Sequence, residues 1–376
     1  MGKKLKIAIA IPTYNRLEKL KFALSKIEAQ EIDDRFELYC VISNIASTDG
    51  TTEFLNQLSH KNINYVTWNK PEENIYLNWR RCSEAIPDDI DWVWFHGDDD
   101  FLTNDQVIKG LVNIIEHEAC IETSLIHISQ ARRSRNTSRI FKENLFDLCN
   151  KLGYHEILGW MSSLVVRCNQ FKCAIDWSTT PYEKHPDPKE ALEFKFSVYR
   201  HSAGFLRVCT HDYALFVDEP WVEPQDEQQS EESIARWAES YHGDRYFYVI
   251  DDLLAMYDEG ILHKKCRLNF FRYLNYSFWD RYATFLIQQL VHNGFLSELN
   301  KEHLNRLHKI SELLENPREN KMFLQWYTLL GMQITQYEKV LQEATNSKNQ
   351  LVAQFDLTNS PSYTLQILDE QGGIFE

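Results

Sequence analysis

The sequence predicts an α/β fold, a mostly parallel sheet flanked by helices, followed by an α-helical C-terminal region. Three observations predict it. Short runs of β-branched and aromatic residues alternate with helical patterns through the first 220 or so residues. Three consecutive carboxylates, Asp98, Asp99 and Asp100, come directly after one of these runs. Beyond an acidic, proline-punctuated stretch, Asp218 to Ser233, only helical spacing remains. The expected organisation is therefore a domain over 1–220, a linker over about 218–233, a helical domain over 221–376 and a tail from about 347.

The elements follow in order. Lys6 to Ile11 is a short apolar strand, which Pro12-Thr13-Tyr14-Asn15-Arg16 ends before a helix with Leu17, Leu20, Ala23, Leu24 and Ile27 on one face. Phe36 to Ser43 is a second strand, and the polar loop Asn44 to Gly50 opens a helix over Thr51 to Leu58. Ile63 to Trp68 reads as a third strand, Asn78 to Ala85 as a helix, and Asp91 to His96, with Trp92-Val93-Trp94-Phe95, as a buried fourth. A helix from about Asn104 to His117, a strand over Leu125 to Ser129 and sheet-like character in Gly159 to Val166 come next. Pro186 to Arg200 reads as a loop and helix. Further on, Leu268, Phe271, Asn275, Phe278, Tyr282 and Phe285 form one stripe at helical spacing, and Phe323, Trp326, Leu330, Ile334, Tyr337 and Leu341 form another.

Composition narrows the function. A formal net charge of −15 disfavours a nucleic-acid groove, which needs clustered Lys and Arg. Eight scattered cysteines without zinc-type C-x-x-C pairs fit a reducing cytoplasm with free thiols. No run of about 18 apolar residues exists to span a membrane.

The acid triplet sits just beyond the carboxyl end of a strand, where open α/β sheets bind their ligands. Mg²⁺ and Mn²⁺ take oxygen ligands and share one or two carboxylates with substrate phosphates, so a nucleotide-diphosphate anchor fits this position. An Asp triplet also suits a turn or a helix N-cap. Arg132, Arg133, Arg135 and Arg139 form a polar cluster that suits either a solvated loop or an anionic group.

Four stretches in order carry a family resemblance. Ile9 to Arg16, Ser43 to Thr51, Asp98-Asp99-Asp100 and Glu193 to Gly204 resemble the opening strand and loop, second loop, metal motif and catalytic helix of the inverting family 2 glycosyltransferases. The resemblance is above all to the abequosyltransferase-like bacterial enzymes of surface-polysaccharide synthesis, and it spans roughly residues 5 to 220. It implies the GT-A (Rossmann-like) fold, with the metal at Asp99 and Asp98 and Asp100 beside it. It places the nucleoside against Pro12, Tyr14 and Asn44, and the phosphates near Arg81 and Asp98. It implies Glu193 as the general base, with Asp187, Glu190 and His185 as neighbouring rivals.

Three positions depart from the pattern. Asn44 stands where Asp usually accepts from the N3-H of uracil; an amide either accepts that hydrogen or donates to cytosine, so the base stays open. Gly97 stands where many members carry the first Asp of Asp-x-Asp. Leu192 replaces an acid that often precedes the base, and the base itself is Glu where Asp is common.

The expected function is metal-dependent inverting transfer of a sugar from a nucleotide-diphosphate donor to a saccharide or lipid-linked acceptor, with Mn²⁺ or Mg²⁺ as cofactor. The expected location is cytoplasmic, with peripheral association at the inner face of the membrane and self-association through the C-terminal helices left open. A non-catalytic GT-A-like scaffold is the alternative. A nucleotidyltransferase is disfavoured because no glycine-rich, Lys-containing phosphate loop follows the first strand.

Overall fold

A computed structural model describes residues 3–45, 47–69, 75–117, 120–130, 139–184, 200–225, 247–271, 298–347, 350–356 and 362–368. The chain divides into two compact units, Met1–Lys195 with Tyr199–Glu232, and Phe196–Val198 with Ser233–Glu376.

The first unit is built on a mixed sheet of nine described strands. Its first half is parallel, in the order β3-β2-β1-β4: β1 is Leu5–Thr13, β2 Phe36–Asn44, β3 Ile63–Asn69 and β4 Trp92–Phe95. Beyond β4 the sheet continues through antiparallel β8 (Leu164–Arg167), then β6 (Thr123–Gln130), β9 (Tyr213–Pro224) and the short β5 (Asp100–Leu102), with β7 (Ile140–Asn144) also on β9.

Helices cover both faces because alternate strand residues point to opposite sides. Ile7, Ile9 and Ile11 of β1, with Trp92 and Trp94 of β4, join one core with α1 (Leu17–Glu28) and α4 (Val107–Glu116). On the other face Phe95 meets Trp79 of α3 (Ile75–Ala85) and Phe171 of α7 (Cys168–Lys184), with His201 and Phe205 of α8 (Arg200–Cys209) beside them. Gly204 allows α7 and α8 to close: a Cβ there would lie 2.2 Å from Ser178 Oγ and 2.5 Å from the Ala174 carbonyl. The remaining helices of this unit among the described residues are α2 (Thr51–Leu55), α5 (Leu145–Leu152) and α6 (Tyr154–Leu158).

The structure alters several sequence expectations. Asp218 to Pro224 is not linker but the second half of β9, with Trp221 lying over Gly110 of α4. Gly159 to Ser163 is not strand, since Met161–Ser163 is a 3₁₀ turn and β8 begins at Leu164. The second unit holds helices Tyr248–Asp258, Glu298–Leu313 and Pro317–Ser347, and the expected irregular tail contains a hairpin of Gln350–Asp356 with Ser362–Leu368. The stripe from Phe323 lies on the longest of these helices and buries Phe323, Leu330 and Ile334. Most of the stripe that begins at Leu268 falls outside the described residues; Leu268–Phe271 is a 3₁₀ turn. Among the described residues no helix is long and apolar enough to cross a membrane, and all eight cysteines are free.

Candidate active site

Parallel register decides where the site forms. Thr13, the last residue of β1, pairs with Asn44, the last of β2, and Ala10 pairs with Phe95 at the end of β4. The loops after these three strands therefore leave the same edge of the sheet, and the order β2-β1-β4 makes β1/β4 the switch point where a crevice opens.

The first two loops are tied together. Asn15, at φ 51°, takes a left-handed conformation that Asn tolerates better than most side chains. Its amide donates to Ser47 Oγ at 2.8 Å, and its side-chain oxygen accepts from the Thr48 amide at 2.8 Å. Asp49 accepts from the Leu17 amide at 2.9 Å and so caps α1 from the neighbouring loop. The polar residues of both sequence motifs thus hold the loops to each other and to α1.

Asn44 belongs to this scaffold. It is 0% exposed; its amide donates to Thr52 Oγ1 at 2.9 Å and Asn69 Oδ1 at 3.0 Å, while its oxygen accepts from the Ser47 amide and hydroxyl. Two hydrogens and two lone pairs are all engaged. In this arrangement the Asn44 side chain serves its own loop, with every donor and acceptor engaged there.

Asp98 and Asp99 face the crevice around one cation. Arg16 Nη1 donates to Asp98 Oδ1 at 3.0 Å and to Asp99 Oδ2 at 2.7 Å. Thr13 Oγ1 donates to the other Asp98 oxygen at 2.7 Å, and Lys19 Nζ stands 4.0 Å from Asp99. Burial pushes the Asp98 carboxyl up, against the pull of Arg16. Burial also opposes the charge of Arg16, but the fields of Asp98 and Asp99 outweigh it and raise its pKa. From behind, the Gln225 amide donates to the Asp99 carbonyl at 2.8 Å, and its side-chain amide donates to the Lys19 carbonyl at 2.9 Å.

Asp100 turns the other way. Its Oδ2 accepts from Ser162 Oγ, which itself accepts from the Gly97 amide at 2.8 Å, and burial pushes this carboxyl up to about 8. A Cβ at Gly97 would come within 2.6 Å of Asp100 Oδ2, so a side chain there would displace that carboxylate. Two carboxylates of the triplet therefore reach the crevice, and the third braces the turn. Among the described residues no group of three or more His, Cys, Asp and Glu could hold a metal ion. Two converging carboxylate oxygens still fit an Mg²⁺ or Mn²⁺ that completes its shell with substrate phosphates and water.

Pro12 is half-buried at the end of β1, and Tyr14 beyond it is 41% exposed. Arg81 is engaged with Glu84 on its own helix at 2.9 Å, so the arginine at the acid pair is Arg16. Asp187, Glu190 and Glu193, with His185, Arg132, Arg133 and Arg135, lie outside the described residues; Arg139 is exposed before β7. Sequence reasoning missed Thr13, Ser162 and Gln225 because their roles come from partners far away in the chain. Arg16 stood in the quoted motif, and its charge beside an acid triplet was the available signal.

Residues 8–177 match the family model for glycosyl transferase family 2. This segment is a family 2 glycosyltransferase domain. The family 2 domain contains Thr13, Arg16, Asn44 and all three acids, but not Gln225 or Glu193. The abequosyltransferase RfbV of Salmonella typhimurium is 28% identical over 190 residues, 46% of this chain and 56% of that protein, so the match spans little more than half of the relative's length. Similar solved structures include S. aureus TarS 1–349, 13% identical with a TM-score of 0.49 and 99% of both chains covered, and the same protein in complex with UDP-GlcNAc, 14% identical with the same score and coverage. The mannosyltransferase PcManGT from Pyrobaculum calidifontis in complex with GDP-Man and Mn²⁺ is 10% identical, with a TM-score of 0.44 over 91% of this chain and 87% of that one.

Proposed function

We propose that this chain transfers a sugar, with inversion at the anomeric carbon, from a nucleotide-diphosphate donor to a saccharide or lipid-linked acceptor in bacterial surface-polysaccharide synthesis. The observation that carries the reading is the convergence of Asp98 and Asp99 on one cationic position at the switch point of a family 2 domain. A divalent cation held by these two carboxylates would supply neutralisation of the charge that develops on the departing diphosphate.

The chain's own residues prepare the rest. Thr13 fixes the rotamer of Asp98, and Gln225 fixes the backbone of Asp99, so both carboxylates are aimed before donor arrives. Tyr14 offers an exposed ring for the nucleoside beside the end of β1. The acceptor hydroxyl must lose its proton as it attacks, and that role is assigned to Glu193 on the sequence spacing, ahead of Asp187 and Glu190.

Incubation with UDP-, GDP-, CDP- and TDP-sugars, with and without Mn²⁺, tests the reading. One donor class should release its nucleotide diphosphate and should raise the unfolding midpoint. A chain that does neither with any donor is not a nucleotide-sugar transferase.

A further inference from the structure

We propose that Arg16 is a built-in counter-cation of the Asp98–Asp99 pair, which a divalent cation must displace and which then turns to the donor diphosphate. The inference rests on the reading of this pair as the metal site. It adds a competitor for that site and a second task for the same side chain.

The geometry makes the competition direct. A single nitrogen, Nη1, reaches Asp98 Oδ1 at 3.0 Å and Asp99 Oδ2 at 2.7 Å. The remaining Asp98 oxygen is held by Thr13, and Asp100 is turned to Ser162. The two oxygens facing the guanidinium are therefore the ones a metal would use. A cation bound to both at about 2.1 Å would lie in the space that Nη1 fills. Metal and guanidinium cannot share it.

Displacement requires only a side-chain movement. Arg16 precedes the first turn of α1, where the Leu17 amide is fixed by Asp49, so the backbone is anchored independently of the guanidinium. The side chain is 30% exposed on a flexible stem. Lys19, the other cation nearby, is only at 4.0 Å from Asp99 and does not touch both acids. A freed guanidinium stays beside the crevice, where a diphosphate offers it the forked oxygen pair that Arg binds well. Metal alone must break two charge-assisted hydrogen bonds, whereas metal with diphosphate gives Arg16 a new partner. Binding of the two should be mutually reinforcing.

Mn²⁺ titration of the full chain, followed by the electron-paramagnetic resonance of the free ion, tests this. Arg16→Met should bind Mn²⁺ alone about 10- to 100-fold tighter than wild type, the equivalent of removing one or two charge-assisted hydrogen bonds from the competing state. Arg35→Met, which removes a cation from a surface pair with Asp33, should leave Mn²⁺ affinity unchanged. Arg16→Lys retains a charge for the fold and should give an intermediate gain. UDP or the preferred nucleoside diphosphate should strengthen Mn²⁺ binding in wild type and do so less in Arg16→Met. General damage to the fold does not tighten metal binding. If Arg16→Met and Arg16→Lys bind Mn²⁺ no better than wild type while Asp99→Asn abolishes binding, the metal site stands and Arg16 is not its competitor. If no form binds Mn²⁺ with or without nucleotide, the metal reading falls with it.

Discussion

The Asn44 amide shows how a motif residue can be spent on its own loop. Asn44→Ala leaves Ser47, Thr52 and Asn69 without their shared partner, and unpaired buried polar groups cost about 1–3 kcal/mol. Urea unfolding should show that loss, and the ratio of UDP to CDP affinity should not change. A shift in that ratio would place Asn44 in the base pocket. Within the triplet, charge and direction separate the roles. Asp99→Asn should remove the Mn²⁺ dependence of nucleotide binding, because Asp99 faces the crevice. Asp100→Asn should keep it, because Asp100 Oδ2 faces Ser162. Calorimetry of nucleoside diphosphate with and without Mn²⁺ on the two variants distinguishes them.

At the scale of elements, what was legible depended on burial. β1, β2 and β4 read clearly because parallel strands covered on both faces are near-continuous apolar runs, as in Trp92 to Phe95. β5 is three residues long, β7 is half-exposed and carries Lys142 and Glu143, and β9 contains Asp218, Glu219 and Pro220, so none had a period to find. The acidic stretch looked like a linker, but Trp221 docks on Gly110 and the Asp218 amide donates to the Arg139 carbonyl. The placement of Asp98 and Asp99 beyond the end of β4 was legible from local order, whereas their contacts with Thr13 and Gln225, distant in the chain, were hidden. The α7–α8 contact gives its own tests. Gly204→Ala should destabilise the chain by about 1–3 kcal/mol, since a methyl group would push into Ser178 and the Ala174 carbonyl. His201, buried on α8 against Trp79 and Phe95, is pushed down to about 4 by burial. The unfolded chain takes up this proton near pH 6.5 and the folded chain does not, so the contribution is full above pH 6.5 and is lost as pH falls toward 4. Between about pH 7 and pH 5 wild type should lose on the order of 1–2 kcal/mol more stability than His201→Gln, which keeps the like effect of buried His96, as read from paired urea curves at the two pH values.

For the whole molecule, the boundary between the units decides which part of the chain carries the donor site. The end of β9 is where the site and the sheet meet. Val222 to Pro224 pair with β5, Thr103 Oγ1 donates to the Pro220 carbonyl, the Trp221 carbonyl accepts from the Thr103 amide, and Gln225 holds both the Asp99 and the Lys19 carbonyls. A chain ended at Pro220 loses all but the Thr103 Oγ1 bond. It exposes the α4 surface around Gly110 that Trp221 covers and frees the backbone of Asp99, so it should aggregate and bind nucleoside diphosphate weakly or not at all. A chain ended after Glu232, at the unit boundary, keeps β9 and Gln225. That form should unfold cooperatively and bind nucleoside diphosphate with Mn²⁺ within a few-fold of the full chain, because Gln225 is the last of the described residues that hold the acid pair. Calorimetry on both truncated forms is the measurement. A form ended after Glu232 that is soluble and folded yet has no nucleotide affinity would place part of the donor site in the helical unit.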